Sequence, residues 1–156
     1  MNAEPRANAA TWLARLAVAA VFALNVSCAL LFILRPQDYA GGFEVGGTAG
    51  EVIVRGYGIL FLMWNVPYLP VILAPHRQRA LFIVVLAQQA IGVIGETWLY
   101  LALPAGHAAL RATGLRFIIF DAGGLVVMAA AWLFLRAALR TKDLTTKDSK
   151  DTKKRT

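Results

Sequence analysis

Four long stretches of this chain are almost free of charge, and the charges collect in the short segments between them. The stretches are residues 16–34, 56–73, 81–103 and 117–135. The first and last each run for 19 residues, between Arg15 and Arg35 and between Arg116 and Arg136. At about 1.5 Å of rise per residue such a run makes about 28 Å of helix, close to the thickness of a bilayer's hydrocarbon core. A soluble domain would instead scatter charges through every segment and bury its apolar residues as amphipathic stripes. The pattern predicts an all-α polytopic membrane protein with helices over about 12–34, 53–73, 80–103 and 115–137. The loop at 74–79 is too short for anything but an antiparallel return, so the expected architecture is an up-down-up-down four-helix bundle. It forms one transmembrane domain over residues 1–140.

The first stretch has arginines ahead of it, as a cleaved signal peptide would. It is longer than an ordinary signal core, however, and continues through Ala29-Leu30-Leu31-Phe32 after its small-residue cluster. It is read as an uncleaved span. The second stretch contains Pro67 and Pro70, each of which removes a backbone donor and leaves the carbonyl four residues earlier without its usual partner. A kink is expected there. The tail at 141–156, TKDLTTKDSKDTKKRT, has no apolar face and is expected to be disordered and basic.

Composition sharpens the class. Fifty-eight per cent of the residues are hydrophobic, and a net charge of +7 sits beside the apolar runs rather than on a soluble face. The basic residues therefore point to an anionic bilayer surface and not to nucleic acid. Arginine and lysine bias places Arg6, Arg15, Arg77, Arg79, Arg136, Arg140 and the lysine-rich tail on one side, and Arg35, Arg55, Arg111 and Arg116 on the other. Both termini are expected on the cytoplasmic side of a cell (inner) membrane. Trp12, Tyr68 and Trp132 fall near the predicted inner boundary, and Tyr39, Tyr57, Trp98 and Tyr100 near the outer one, as interfacial anchors would.

The candidate chemistry lies in polar residues inside the spans. A charge at the centre of a membrane helix costs about 2.5–3.5 kcal/mol on insertion scales. Arg55, Glu96, Asp121 and Arg116 fall at a similar depth in the outer half of the expected bundle. Asn25, Asn65, Gln88 and Gln89 fall one layer deeper. Helical spacing puts Arg55, Gly58, Leu62 and Asn65 on one stripe, Gln89, Gly92 and Glu96 on a second, and Asp121, Gly124 and Met128 on a third. The expectation is a charged layer and an amide layer facing the bundle axis. They either neutralise one another structurally or line a cavity for a small ligand. Catalytic patterns are missing: there is no HExxH, CxxC, GxSxG or Walker motif, and the glycine-rich loop at 41–50 lacks the strand and GK[ST] of a phosphate loop. His76 and His107 fall in loops on opposite faces, so no metal site is expected, and no cofactor is predicted.

Four short-looped helices, a first outer loop with Gly41, Gly42, Gly46, Gly47 and Gly50, a charged start to the second helix (Glu51, Arg55) and a polar third helix resemble the DoxX-like group of small bacterial membrane proteins. The likeness covers roughly residues 10–140 at the level of architecture. It implies a small membrane subunit, since some members of the group serve quinone-linked oxidoreductases, and it assigns no site residue here. The functional expectation is an integral membrane protein acting as a small ligand-binding or accessory subunit. Its partners would be the lipid bilayer, a larger membrane complex or a second copy, and a small apolar or quinone-like ligand. The alternative is a stand-alone transporter or proton-conducting protein using Glu96 and Asp121.

Overall fold

The computed structural model describes residues 3–153. Its elements are α1 (Ala3–Leu34), α2 (Gln37–Ala40), α3 (Gly47–Asn65), α4 (Tyr68–Leu73), α5 (Arg79–Ala102) and α6 (Ala108–Lys153), with a 3-10 turn at Gly41–Phe43. Among the described residues, four spans are long and apolar enough to cross a membrane: α1, α3 and α4 taken together, α5, and the first part of α6. Large apolar side chains point outward along all of them. Leu73 and Leu101, for example, are 72% and 74% exposed, which in water would leave a continuous apolar coat uncovered. Lipid is the solvent that this surface suits. The fold is the expected all-α up-down-up-down bundle.

The second span breaks at Pro67, and the carbonyls that lose their usual donors are recovered by tighter turns. Met63 accepts from the Val66 N–H and Val66 from the Leu69 N–H, both at 3.3 Å. The kink redirects α4 away from the line of α3, so that Tyr68 and Val71 are fully buried. α1 packs on α3, α4 and α6, and α5 packs on α6 and α4. Between α3 and α5 packing is sparse, so one wall of the bundle is closed only beyond the kink.

The end of the bundle that carries both termini is called proximal here, and the opposite end distal. Lys142 pairs with Glu4 at 3.1 Å across the proximal end. The tail expected to be disordered from residue 141 instead continues α6 as helix to Lys153, and residues 154–156 lie outside the described residues. Once a helix of this length exists, adding a residue fixes one pair of dihedrals for one hydrogen bond, so even polar sequence propagates it.

The interior is divided into two cores. The proximal one sets Ala10, Ala14, Ala17 and Val21 of α1 against Met128, Ala131, Leu135 and Ala138 of α6, with Tyr68, Phe82 and Trp132 completing it. Alanine every three or four residues lets the two backbones approach closely, as small residues do between membrane helices. Tyr68 and Trp132 were expected at the membrane boundary. Both are buried in this core, Tyr68 because its hydroxyl finds a partner on α5 and Trp132 because its ring packs on Phe82 at 4.9 Å between centroids. The distal core is aromatic: Phe32 contacts Tyr39, Phe43, Phe61 and Phe117 with centroids 4.9–6.3 Å apart.

Candidate functional site

Between the two cores lies a cavity of about 750 Å³, lined from α1, α3, α5 and α6. Its position follows from the kink. Distal to Pro67, α3 stays against α1 and leaves α5 without a partner on that side, whereas α4 crosses to α5. The apolar wall is built from Leu24, Tyr57, Leu60, Phe61, Met63, Trp64, Phe117 and Phe120. Leu60, Met63 and Trp64, on the sparse α3–α5 side, are themselves exposed to the surrounding medium.

Seven of the eight polar residues expected to face the bundle axis line this cavity: Asn25, Asn65, Gln88, Gln89, Glu96, Arg116 and Asp121. The amide layer is bonded across helices. Asn25 Nδ2 donates to Asn65 Oδ1 at 3.2 Å, and Asn65 Nδ2 donates back along its own helix to the Phe61 carbonyl at 2.7 Å. Tyr68 donates to Gln89 Oε1 at 2.9 Å, and Gln89 Nε2 donates to Asp121 Oδ1 at 2.8 Å. This Tyr68–Gln89–Asp121 chain ties the segment after the kink to α5 and α6. Gly92 stands one turn from Gln89, and a Cβ there would come within 2.5 Å of Asp121 Oδ2, so glycine is what allows the carboxylate to lie against α5.

Arg55 is the exception. It is exposed, and its Nε donates to the Ile33 carbonyl at 3.2 Å at the distal end of α1. Arg55 and Gly58 of the predicted stripe face α1 and not the axis, because Gly58 sets the α1–α3 seam. Asn65, at the proximal end of the stripe, bonds to Asn25 of α1 at the cavity wall. A Cβ at Gly58 would lie 2.6 Å from the Ala29 carbonyl oxygen. The face of α3 that meets the cavity is the neighbouring one, carrying Tyr57, Phe61 and Trp64 at positions i, i+4 and i+7.

Nor do the remaining charges neutralise one another. Among the described residues the ion pairs are Glu44–His107 and Lys142–Glu4, so Arg116 bridges to neither Glu96 nor Asp121. Arg116 Nε donates to the Ala112 carbonyl at 3.2 Å within its own helix. Two buried acceptors on the cavity-lining residues have no partner at all, Gln88 Oε1 and Glu96 Oε2. A buried polar atom left unpaired costs about 1–3 kcal/mol, and such atoms are few in native proteins. The arrangement offers a flat aromatic wall, one free-ended guanidinium and two acceptors awaiting donors.

Two features were missed in the sequence. The aromatic face of α3 was visible in the 57, 61, 64 spacing but was outweighed by the polar stripe beside it. Glu44 carried no local signal, yet it holds the distal loop to α6 by bonds that only the folded chain creates.

Comparison with protein-family models, with curated proteins and with solved structures found no match for this chain.

Proposed function

We propose that this protein binds a small amphipathic molecule within the bilayer, with an apolar ring system against the aromatic wall and a hydrogen-bond-donating head toward Gln88 and Glu96. The observation that carries this is the pair of unpartnered buried acceptors, Gln88 Oε1 and Glu96 Oε2, on the wall of a 750 Å³ cavity. Pockets for such ligands are mostly apolar, with a few placed polar groups that fix orientation. A hydroxylated ring of the quinol class meets each requirement: it is flat, it partitions into lipid, and its hydroxyls donate. The sparse α3–α5 side gives such a molecule a route from the hydrocarbon phase. This reading agrees with the quinone-linked, accessory-subunit role that the resemblance to the DoxX-like group implies, in a cell membrane with both termini cytoplasmic.

The test is saturable quenching of tryptophan fluorescence in detergent by a short-chain alkyl benzoquinol, with Trp64→Phe identifying the reporting residue. Gln88→Leu and Glu96→Gln should each weaken binding about tenfold, or about 1.4 kcal/mol, without lowering the thermal midpoint. Arg55→Gln should leave affinity unchanged. Equal affinity in wild type and Gln88→Leu would remove this reading. Absence of quenching, together with proton flux in proteoliposomes that Glu96→Gln abolishes, would replace it with a transport role.

A further inference from the structure

A second group of unsatisfied polar atoms lies at the proximal end, away from the cavity. There the chain reverses from α4 to α5 through a turn in which the N–H groups of Arg77 and Gln78 both donate to the Ala74 carbonyl, each at 2.9 Å. Arg79 Nε donates to the His76 carbonyl at 3.3 Å. From α1, Arg15 reaches under the end of α4 and donates Nη2 to the Leu73 carbonyl at 2.7 Å, with its guanidinium over the Trp12 ring. These bonds bring Arg15 and Arg79 to the turn that carries His76 and Arg77, so that basic residues from two separate parts of the sequence act on the His76 ring.

The gathering is electrostatically unfavourable as it stands. Burial of the His76 ring and repulsion from Arg77, Arg15 and Arg79 all hold its pKa below the ordinary histidine value. No carboxylate pairs with any of the four among the described residues. Two of the nitrogens, Arg15 Nε and His76 Nδ1, are buried and have no hydrogen-bond partner. The Leu73 bond and the Trp12 ring hold the Arg15 guanidinium in place. Converging donors with surplus positive charge are the arrangement that an anion with several oxygens completes.

We propose that Arg15, His76, Arg77 and Arg79 form a binding site for a phosphate group at the proximal membrane surface. Guanidinium forks match the oxygens of phosphate, and the border between hydrocarbon and water is where headgroup phosphates lie. The same chemistry is met by an anionic phospholipid and by free phosphate. The site shares no residue with the cavity and stands independently of the function proposed for it.

The test uses the full chain in detergent, with phosphatidylglycerol, phosphatidylcholine and inorganic phosphate as probes. Native mass spectrometry reads retained lipid, and the thermal midpoint reads stabilisation. Phosphatidylglycerol should be retained at least tenfold more tightly than phosphatidylcholine. His76→Leu and Arg77→Gln should each reduce that retention about fivefold or more, and Arg35→Gln, at the distal end, should not. Arg15→Gln should do the same as His76→Leu. Should it fail to fold for want of the Leu73 bond, the other two variants still decide. Stabilisation by millimolar inorganic phosphate that equals the lipid's, and that His76→Leu removes, would name free phosphate as the occupant. Retention that falls equally in Arg35→Gln, or that survives both His76→Leu and Arg77→Gln, would overturn the site.

Discussion

Glu44 and His107 stand 63 positions apart in the chain and meet with 2.6 Å between Oε2 and Nδ1. The other carboxylate oxygen of Glu44 accepts from the backbone N–H groups of Ala109 and Leu110, at 3.1 and 3.3 Å. These are donors of the first turn of α6, which has no helical partner for them. A residue in the loop after the first span therefore caps the last one, and negative charge at a helix N-terminus is favourable. Glu44 adopts a left-handed backbone, with φ of 53°, to reach this position.

The clamp has a definite pH signature. The hydrogen bond from His107 and then those from the Leu110 and Ala109 backbone hold the Glu44 carboxyl below its ordinary value of 4.5, against the opposing effect of burial. A depressed folded pKa means that the stabilisation is present above the unfolded value and is lost as pH falls through the folded one. Glu44→Gln should lower the thermal midpoint by a few degrees near neutral pH. The gap between variant and wild type should then narrow below about pH 4.5. A gap that stays constant down to acid would show that the charge contributes nothing.

Glycine positions make a second, graded prediction. A Cβ at Gly58 would meet the Ala29 carbonyl oxygen at 2.6 Å and Ile33 Cγ1 at 2.7 Å, and helix backbone cannot give way cheaply. One at Gly92 would meet the movable Asp121 side chain, and one at Gly95 would meet nothing. Overpacking typically costs about 1–3 kcal/mol. Gly58→Ala should sit at the top of that range, Gly92→Ala lower, and Gly95→Ala near zero. Thermal midpoints in detergent would check the order, and a stable Gly58→Ala would refute the close α1–α3 seam.

The two adjacent glutamines should behave oppositely. Gln89 accepts from Tyr68 and donates to Asp121, so Gln89→Leu strands two buried groups, each at a cost of about 1–3 kcal/mol. Gln88 Oε1 has no partner, and Gln88→Leu removes an unsatisfied acceptor. Chemical or thermal denaturation should find Gln89→Leu destabilised and Gln88→Leu unchanged or slightly improved. Equal losses would mean that the Tyr68–Gln89–Asp121 chain does not hold the kinked span to its neighbours.

Much of this fold was legible because lipid imposes simple rules. A helix must satisfy its own backbone, so charge-free runs of membrane length identify spans directly. Glu96, Asp121, Gln89 and Asn65 stood out for the same reason, since polar groups in such runs are expensive. Rotation about each helix axis was harder to read. Arg55 shares a stripe with Asn65, and both bond to α1, Asn65 to the Asn25 amide and Arg55 to the Ile33 carbonyl at the distal rim. The sequence pattern alone turns Arg55 toward the acids of α5 and α6. A stripe gives relative angles on one helix and carries no information about which neighbour it faces.

By itself the sequence determined that this is a four-span helical membrane protein with polar residues in its distal half. It did so because hydropathy and helical period are local properties that need no partner. Only the tertiary structure decided where those polar residues go. Gly58 and the alanines of α1 set how close the helices come, and Pro67 divides the second span between two neighbours. The opening that this leaves between α3 and α5 becomes a cavity whose acceptors are unpaired. Glu44 on the N-terminus of α6 and Arg15 beside His76 are likewise products of folding. Residues so far apart in the chain acquire a common chemistry only when packing brings them within a few ångströms.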